Sequence, residues 1–147
     1  MIIDRQSTVS LNQAVTSTAV SNDTIDLLVA GRDIGNGEQI EMTILCTEAA
    51  TASGSATVTF ELINSASADL SSPVVLATTA AIGKAAITVG AQFLLQTIPL
   101  NAAPLRYLGV RYTVATGPLT AGKFTATFGG RRDATKAYRS GIPVGGF

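Results

Sequence analysis

Polarity alternates residue by residue along four stretches of this chain, and helical periodicity is poor almost everywhere. From Gln39 to Thr47, Ile40, Met42, Ile44 and Cys46 share one face and Glu41, Thr43 and Thr47 the other, with Leu45 the exception. Ala56, Val58, Phe60 and Leu62 oppose Thr57, Thr59 and Glu61. Leu108, Val110, Tyr112 and Val114 oppose Tyr107, Arg111 and Thr113, and Phe124, Ala126 and Phe128 oppose Lys123, Thr125 and Thr127. A period of two puts alternate side chains on opposite faces of a strand, so each stretch predicts a half-buried strand. Thr, Val and Ile are abundant here, and branching at Cβ suits a pleated surface.

Less regular strands are expected at Thr16–Val20, Thr24–Val29, Val74–Thr78, Ala86–Val89 and Phe93–Ile98. Turn chemistry separates them at Asp33–Gly37, Ser53-Gly54, Ser71–Pro73, Gly117-Pro118 and Ala121-Gly122. Gly83 and the flanking threonines predict a loop over Ala77–Ala86. About eight short strands with turns every 8–12 residues imply an all-β antiparallel sandwich or barrel. At 147 residues the chain suits one domain with a sizeable core. We expect an N-terminal arm over 1–15, the β-domain over 16–129 and a C-terminal arm over 130–147.

The chain has no His, no Trp and a single Cys. That excludes a Ser-His-Asp triad, a Cys-His pair, a His-ligated zinc, a thiolate cage and an intramolecular disulfide. Neither a cofactor nor a metal is expected. Cys46 shares a face with Ile40, Met42 and Ile44 and is expected to be a small core hydrophobe. Charged residues make up only 14% of the chain, well below the usual quarter or so, which suggests surface hidden against partners. No apolar run reaches the ~18 residues of a membrane span. Met1–Gln6 has an acid where a signal peptide has bases, so the protein is expected to be made in the cytoplasm and not secreted.

Zero net charge conceals an asymmetry. Up to residue 70 nine acids face two bases, net −7; beyond it eight bases face one acid, net +7. Part of the basic excess is local. Arg131, Arg132, Lys136 and Arg139 lie in a Gly-rich ending with Asp133 the one acid, together with Tyr138, Ile142, Val144 and Phe147. The composition suggests an extended arm ordered against a partner surface, because a solvated tail has little use for those apolar residues. Ile2, Ile3 and Arg5 are the matching candidates at the other end.

Other constellations have simpler readings. Asp33-Ile34-Gly35 has the outline of an aspartic-protease loop, with Ile82-Gly83 as its apolar-Gly partner, but Ile stands where such enzymes carry a hydroxyl. A connection with Asn36-Gly37 supplying positive φ accounts for it. Glu41 and Glu61 could be imagined as a glycosidase pair, yet nothing sets their separation and no aromatic platform accompanies them. They are expected to be solvated strand glutamates. The basic arm could touch phosphates, but it lacks paired aromatics for base stacking, and direct nucleic-acid binding is not expected. An acidic protein surface suits it better.

A series of segments, in order, resembles the Bbp16-type capsid cement proteins of tailed bacteriophages. These are Met1–Gln6, Ser10–Ser21, Thr24–Leu27, Arg32–Glu38, Thr59–Leu62, Leu70–Pro73, Val75–Thr78, Arg106–Tyr112 and, at the end, Lys136–Tyr138, Ser140–Ile142 and Val144. The resemblance implies a jelly-roll sandwich on the outside of an HK97-type head, bridging neighbouring major capsid subunits. It further implies a symmetric homo-oligomer, dimer or trimer, at local symmetry axes. It carries over no catalytic residue, small-molecule substrate or membrane contact. A head-tail joining or tail protein would fit the same β pattern.

Overall fold

The computed structural model describes residues 5–27, 40–96 and 105–130. In chain order its strands are β1 (Thr8–Ala14), β2 (Ala19–Val20), β3 (Ile25–Asp26), β4 (Ile40–Thr51), β5 (Thr57–Ser65), β6 (Val74–Thr78), β7 (Ile82–Gly83), β8 (Gln92–Gln96), β9 (Tyr107–Ala115) and β10 (Ala121–Gly130). The helical pieces among the described residues are two 3-10 turns, Arg5–Ser7 and Lys84–Ala86.

One sheet has the order β1-β10-β4-β8. The other has β2-β9-β5-β6, with β3 also on β9 and β7 also on β5. Every pairing is antiparallel. The pairs are nested in sequence: β1 with β10, β2 and β3 with β9, β4 with β8, and β5 with β6. Counting β2 with β3 and β6 with β7 as interrupted single strands leaves eight, which form one long hairpin rolled into two layers. This is the strand order of a jelly roll.

The four alternating stretches become β4, β5, β9 and β10. Their apolar faces meet between the sheets as Met42, Ile44, Cys46, Val58, Phe60, Leu62, Leu108, Val110, Phe124 and Ala126. Phe60 sits at the centre, stacked on Phe93 at 4.7 Å and edge-on to Phe124 at 5.3 Å and Tyr112 at 6.0 Å. Offset and edge-on geometries align ring edges with ring faces and add to the gain from burial.

Four expectations change. Residues 8–14, assigned to the arm, form β1, an edge strand of the four-stranded sheet. Two register shifts interrupt its pairing with β10, and Asn12 takes φ +48°, so β1 lacks the alternation that marks a strand. Ala86–Val89 is not a strand. Ile87 is fully buried, but its N–H bonds locally to Lys84 O while its carbonyl accepts from Ala50 N. Thr16–Val20 and Thr24–Val29 shorten to the two-residue β2 and β3, with residues 28–29 outside the described residues. The Ala77–Ala86 loop contains β7 and a 3-10 turn.

A small second cluster covers one end of the six-stranded sheet from outside. Leu70, buried and held at φ +57°, presses on Gly109. A Cβ on Gly109 would lie 2.4 Å from Leu70 Cδ1 and 2.9 Å from Ser21 Oγ, so only glycine fits there without displacement. Asn64, fully buried, donates to Leu105 O and Tyr107 O, both at 2.9 Å, and accepts from Leu105 N at 2.8 Å. It fastens the start of β9 to the end of β5.

Candidate interaction surface

The nested hairpin brings the acidic first half against the basic second half. Arg106 on the approach to β9 makes a two-pronged pair with Asp26 of β3, at 2.8 and 2.7 Å. Arg111 of β9 meets Glu61 of β5 at 2.6 Å, and Lys123 of β10 meets Glu48 of β4 at 2.6 Å. These three pairs set three acids of the first half against three bases of the second. Glu61 also accepts from Thr113 Oγ1 at 2.6 Å, and the Arg111 guanidinium holds its carboxyl below the usual carboxylate range. Glu41 is buried to 8% exposure. Neither glutamate is the solvated side chain expected.

The buried polar groups serve the fold. Tyr112 donates to Ser10 Oγ at 2.9 Å, Ser10 to Gln13 Oε1 at 2.7 Å, and Gln13 Nε2 to Val20 O at 2.8 Å. This chain ties β9 in one sheet to β1 in the other. Burial pushes the Tyr112 phenol well above its ordinary value. It also raises the Cys46 thiol, whose Sγ donates to Glu48 O at 3.1 Å, so Cys46 is a poor nucleophile. Among the described residues no buried side-chain nitrogen or oxygen lacks a hydrogen-bond partner. No group of three or more metal-ligating side chains occurs among them. Ile82-Gly83 pairs with Val58 and Thr57 of β5, while Asp33 lies outside the described residues.

Of the candidate contact residues in the arms, Arg5 is described. It stands exposed in a 3-10 turn, paired with Asp23 at 2.9 Å and reaching Thr8 O at 3.3 Å. It is therefore already engaged with its own sandwich, although an exposed pair of this kind contributes little stability. Ile2, Ile3, Arg131, Arg132, Lys136, Tyr138, Arg139, Ile142, Val144 and Phe147 lie outside the described residues. What is described is where the arms begin. Thr8 pairs with Thr127 and β10 ends at Gly130, so the chain enters and leaves the sandwich on neighbouring strands at one end of the sheet.

The surface also carries exposed apolar side chains that the sequence did not single out: Leu11, Val74, Val75, Val89 and Leu94. Four of the five lie on β6, on β8 or in the loop entering β8, and β6 and β8 are edge strands in contact with each other. Sequence alone cannot show this, because edge position depends on strand order.

No curated protein matches the chain. The Bbp16 family profile matches residues 9–128, from β1 through β10, and stops before the basic ending. That match spans nearly all of the described sandwich, and the chain belongs to the Bbp16 family, a phage-associated family.

Proposed function

We propose that this protein is a non-catalytic capsid cement protein. It binds the outside of an HK97-type phage head as a symmetric homo-oligomer and clamps neighbouring major capsid subunits against the pressure of packaged DNA. The family match across the sandwich carries this reading. The spending of polar chemistry inside the fold supports it, as does the shared origin of both termini at one end of β1 and β10. Arms from one corner can engage the same patch of shell. Ordering an arm costs about 1–2 kcal/mol of backbone entropy per residue. Apolar anchors, basic side chains and avidity from many contacts per oligomer offset that cost.

Truncation after Gly130 keeps all ten described strands. The shortened protein should melt cooperatively near the parent's temperature, yet bind stripped shells at least about tenfold more weakly, a loss of ~1.4 kcal/mol. Co-sedimentation with shells measures it. Undiminished binding would contradict the arm's role. Copy number tests the assignment itself: hundreds per particle fit cement, whereas a dozen or fewer would point to a joining ring or tail component.

A further inference from the structure

The loop between β5 and β6 is held in a conformation its residues disfavour. Residues 66–72 stand exposed except for Leu70, which is 2% exposed. Leu70 takes φ +57° and Ser72 φ +47°. Left-handed backbone crowds the Cβ of an L-residue, the more so for a bulky one. Such strain persists only where the surroundings impose it. Here the notch over Gly109 imposes it. The two Cδ atoms of Leu70 occupy the space that a Cβ on Gly109 would need, at 2.4 and 3.2 Å. Ile63, directly across from Gly109 on β5, is fully buried but lies outside the core between the sheets. The rest of the loop is lightly held. Ser65 Oγ, at its stem, donates to Ser71 O at 2.6 Å and accepts from Ser67 N at 3.1 Å. The Leu70 N–H bonds within the loop, to Ser67 O at 3.0 Å.

We propose that residues 66–73 form a strained flap, latched by Leu70 in the notch over Gly109, that opens by itself while the sandwich stays folded. The gain from burying one leucine and the strain at two left-handed residues are of the same order and opposite sign. The flap is therefore shut by a small margin, whereas parting the sheets would expose the whole core. No residue of the flap belongs to a strand, so its release breaks no ladder bond. Opening uncovers Gly109 and Ile63 at one particular end of the molecule. Ser65 at the stem pairs with Tyr107, and Tyr107 pairs with Asp26 of β3. Asp23, just before β3, bonds to Val9 O, beside the Thr8–Thr127 pair. That is the end where both arms begin. The flap is thus a movable apolar cover beside the termini, and it is a property of the isolated chain, whatever the arms bind.

Residue-resolved hydrogen exchange on the isolated full chain tests this. The Leu70 N–H should exchange at least ~10-fold more slowly than in a free peptide, because the flap is closed in its ground state, yet at least ~100-fold faster than the amides of β4 and β10. Low urea should leave its rate unchanged, since a local opening exposes little surface, while the slow core amides speed up. Leu70→Ala removes the latch without touching β9. Gly109→Ala evicts it, the new Cβ displacing the far end of a flexible side chain. Both should speed exchange at residue 70 at least ~5-fold and keep a single cooperative melt. Ser72→Gly relieves strain at an exposed position and should slow that exchange ~3-fold. A Leu70 N–H with no protection, one that exchanges at the rate and with the urea dependence of the β4 and β10 amides, or variants that leave its rate unchanged would overturn the proposal.

Discussion

Phe60→Ala should lower the unfolding free energy by about 3–5 kcal/mol, the range for deleting a buried ring and leaving a cavity. The melting temperature should fall by roughly 10–15 °C for a domain of this size. Phe60 is fully buried and touches rings from both sheets: Phe93 and Phe124 across the core, and Tyr112 beside it. None of these can relax far into the space. Tyr112 is stacked on Phe124 at 5.4 Å and its hydroxyl is bonded to Ser10. Urea unfolding at neutral pH measures the effect. A loss below about 1 kcal/mol would show that the sandwich closes over the gap, and that the ring cluster is not what holds the layers together.

Asn64 is the polar counterpart. Asn64→Ala strands two carbonyls and one N–H that the amide now satisfies, and should cost about 2–3 kcal/mol, since each abandoned group costs on the order of 1 kcal/mol or more. Asn64→Asp separates hydrogen bonding from volume. The carboxyl keeps the shape but turns an acceptor toward the carbonyls of Leu105 and Tyr107. Ionised, it faces two oxygens in a dry site, so its folded pKa must rise above the ordinary value of about 3.9. Below that pH both folded and unfolded forms are protonated and the variant is at its best. As pH climbs toward the raised folded value the unfolded chain ionises first, and stability drains away. Asn64→Asp should thus be markedly less stable at pH 7 than at pH 3.5, measured relative to the parent at each pH. A pH-independent penalty would mean the site admits water.

The sequence made the centre of the fold legible and its margins less so. β4, β5, β9 and β10 are buried on one face each, and that physical condition produces alternation. The same period assigned Phe60, Tyr112 and Phe124 to the core. β1 was invisible because its bulges destroy the period, so Val9 and Ser10 are both buried. The Tyr112–Ser10 bond joins residues 102 positions apart, and Asn64 reaches backbone 41 and 43 positions away. Local composition holds no trace of such partners. The charge asymmetry was legible as a number, but its meaning required the nested pairing: Asp26, Glu48 and Glu61 are answered by Arg106, Lys123 and Arg111. The basic ending was legible as composition, and its residues beyond Gly130 fall outside the described structure.

The proposed role in holding a phage head together is tested most directly by comparing DNA-filled particles with and without the protein as temperature is raised, following DNA release by dye fluorescence. Particles lacking the protein should release DNA at a lower temperature, and purified protein added back should restore the original release point. Full packaging with an unchanged release temperature in its absence would contradict the account.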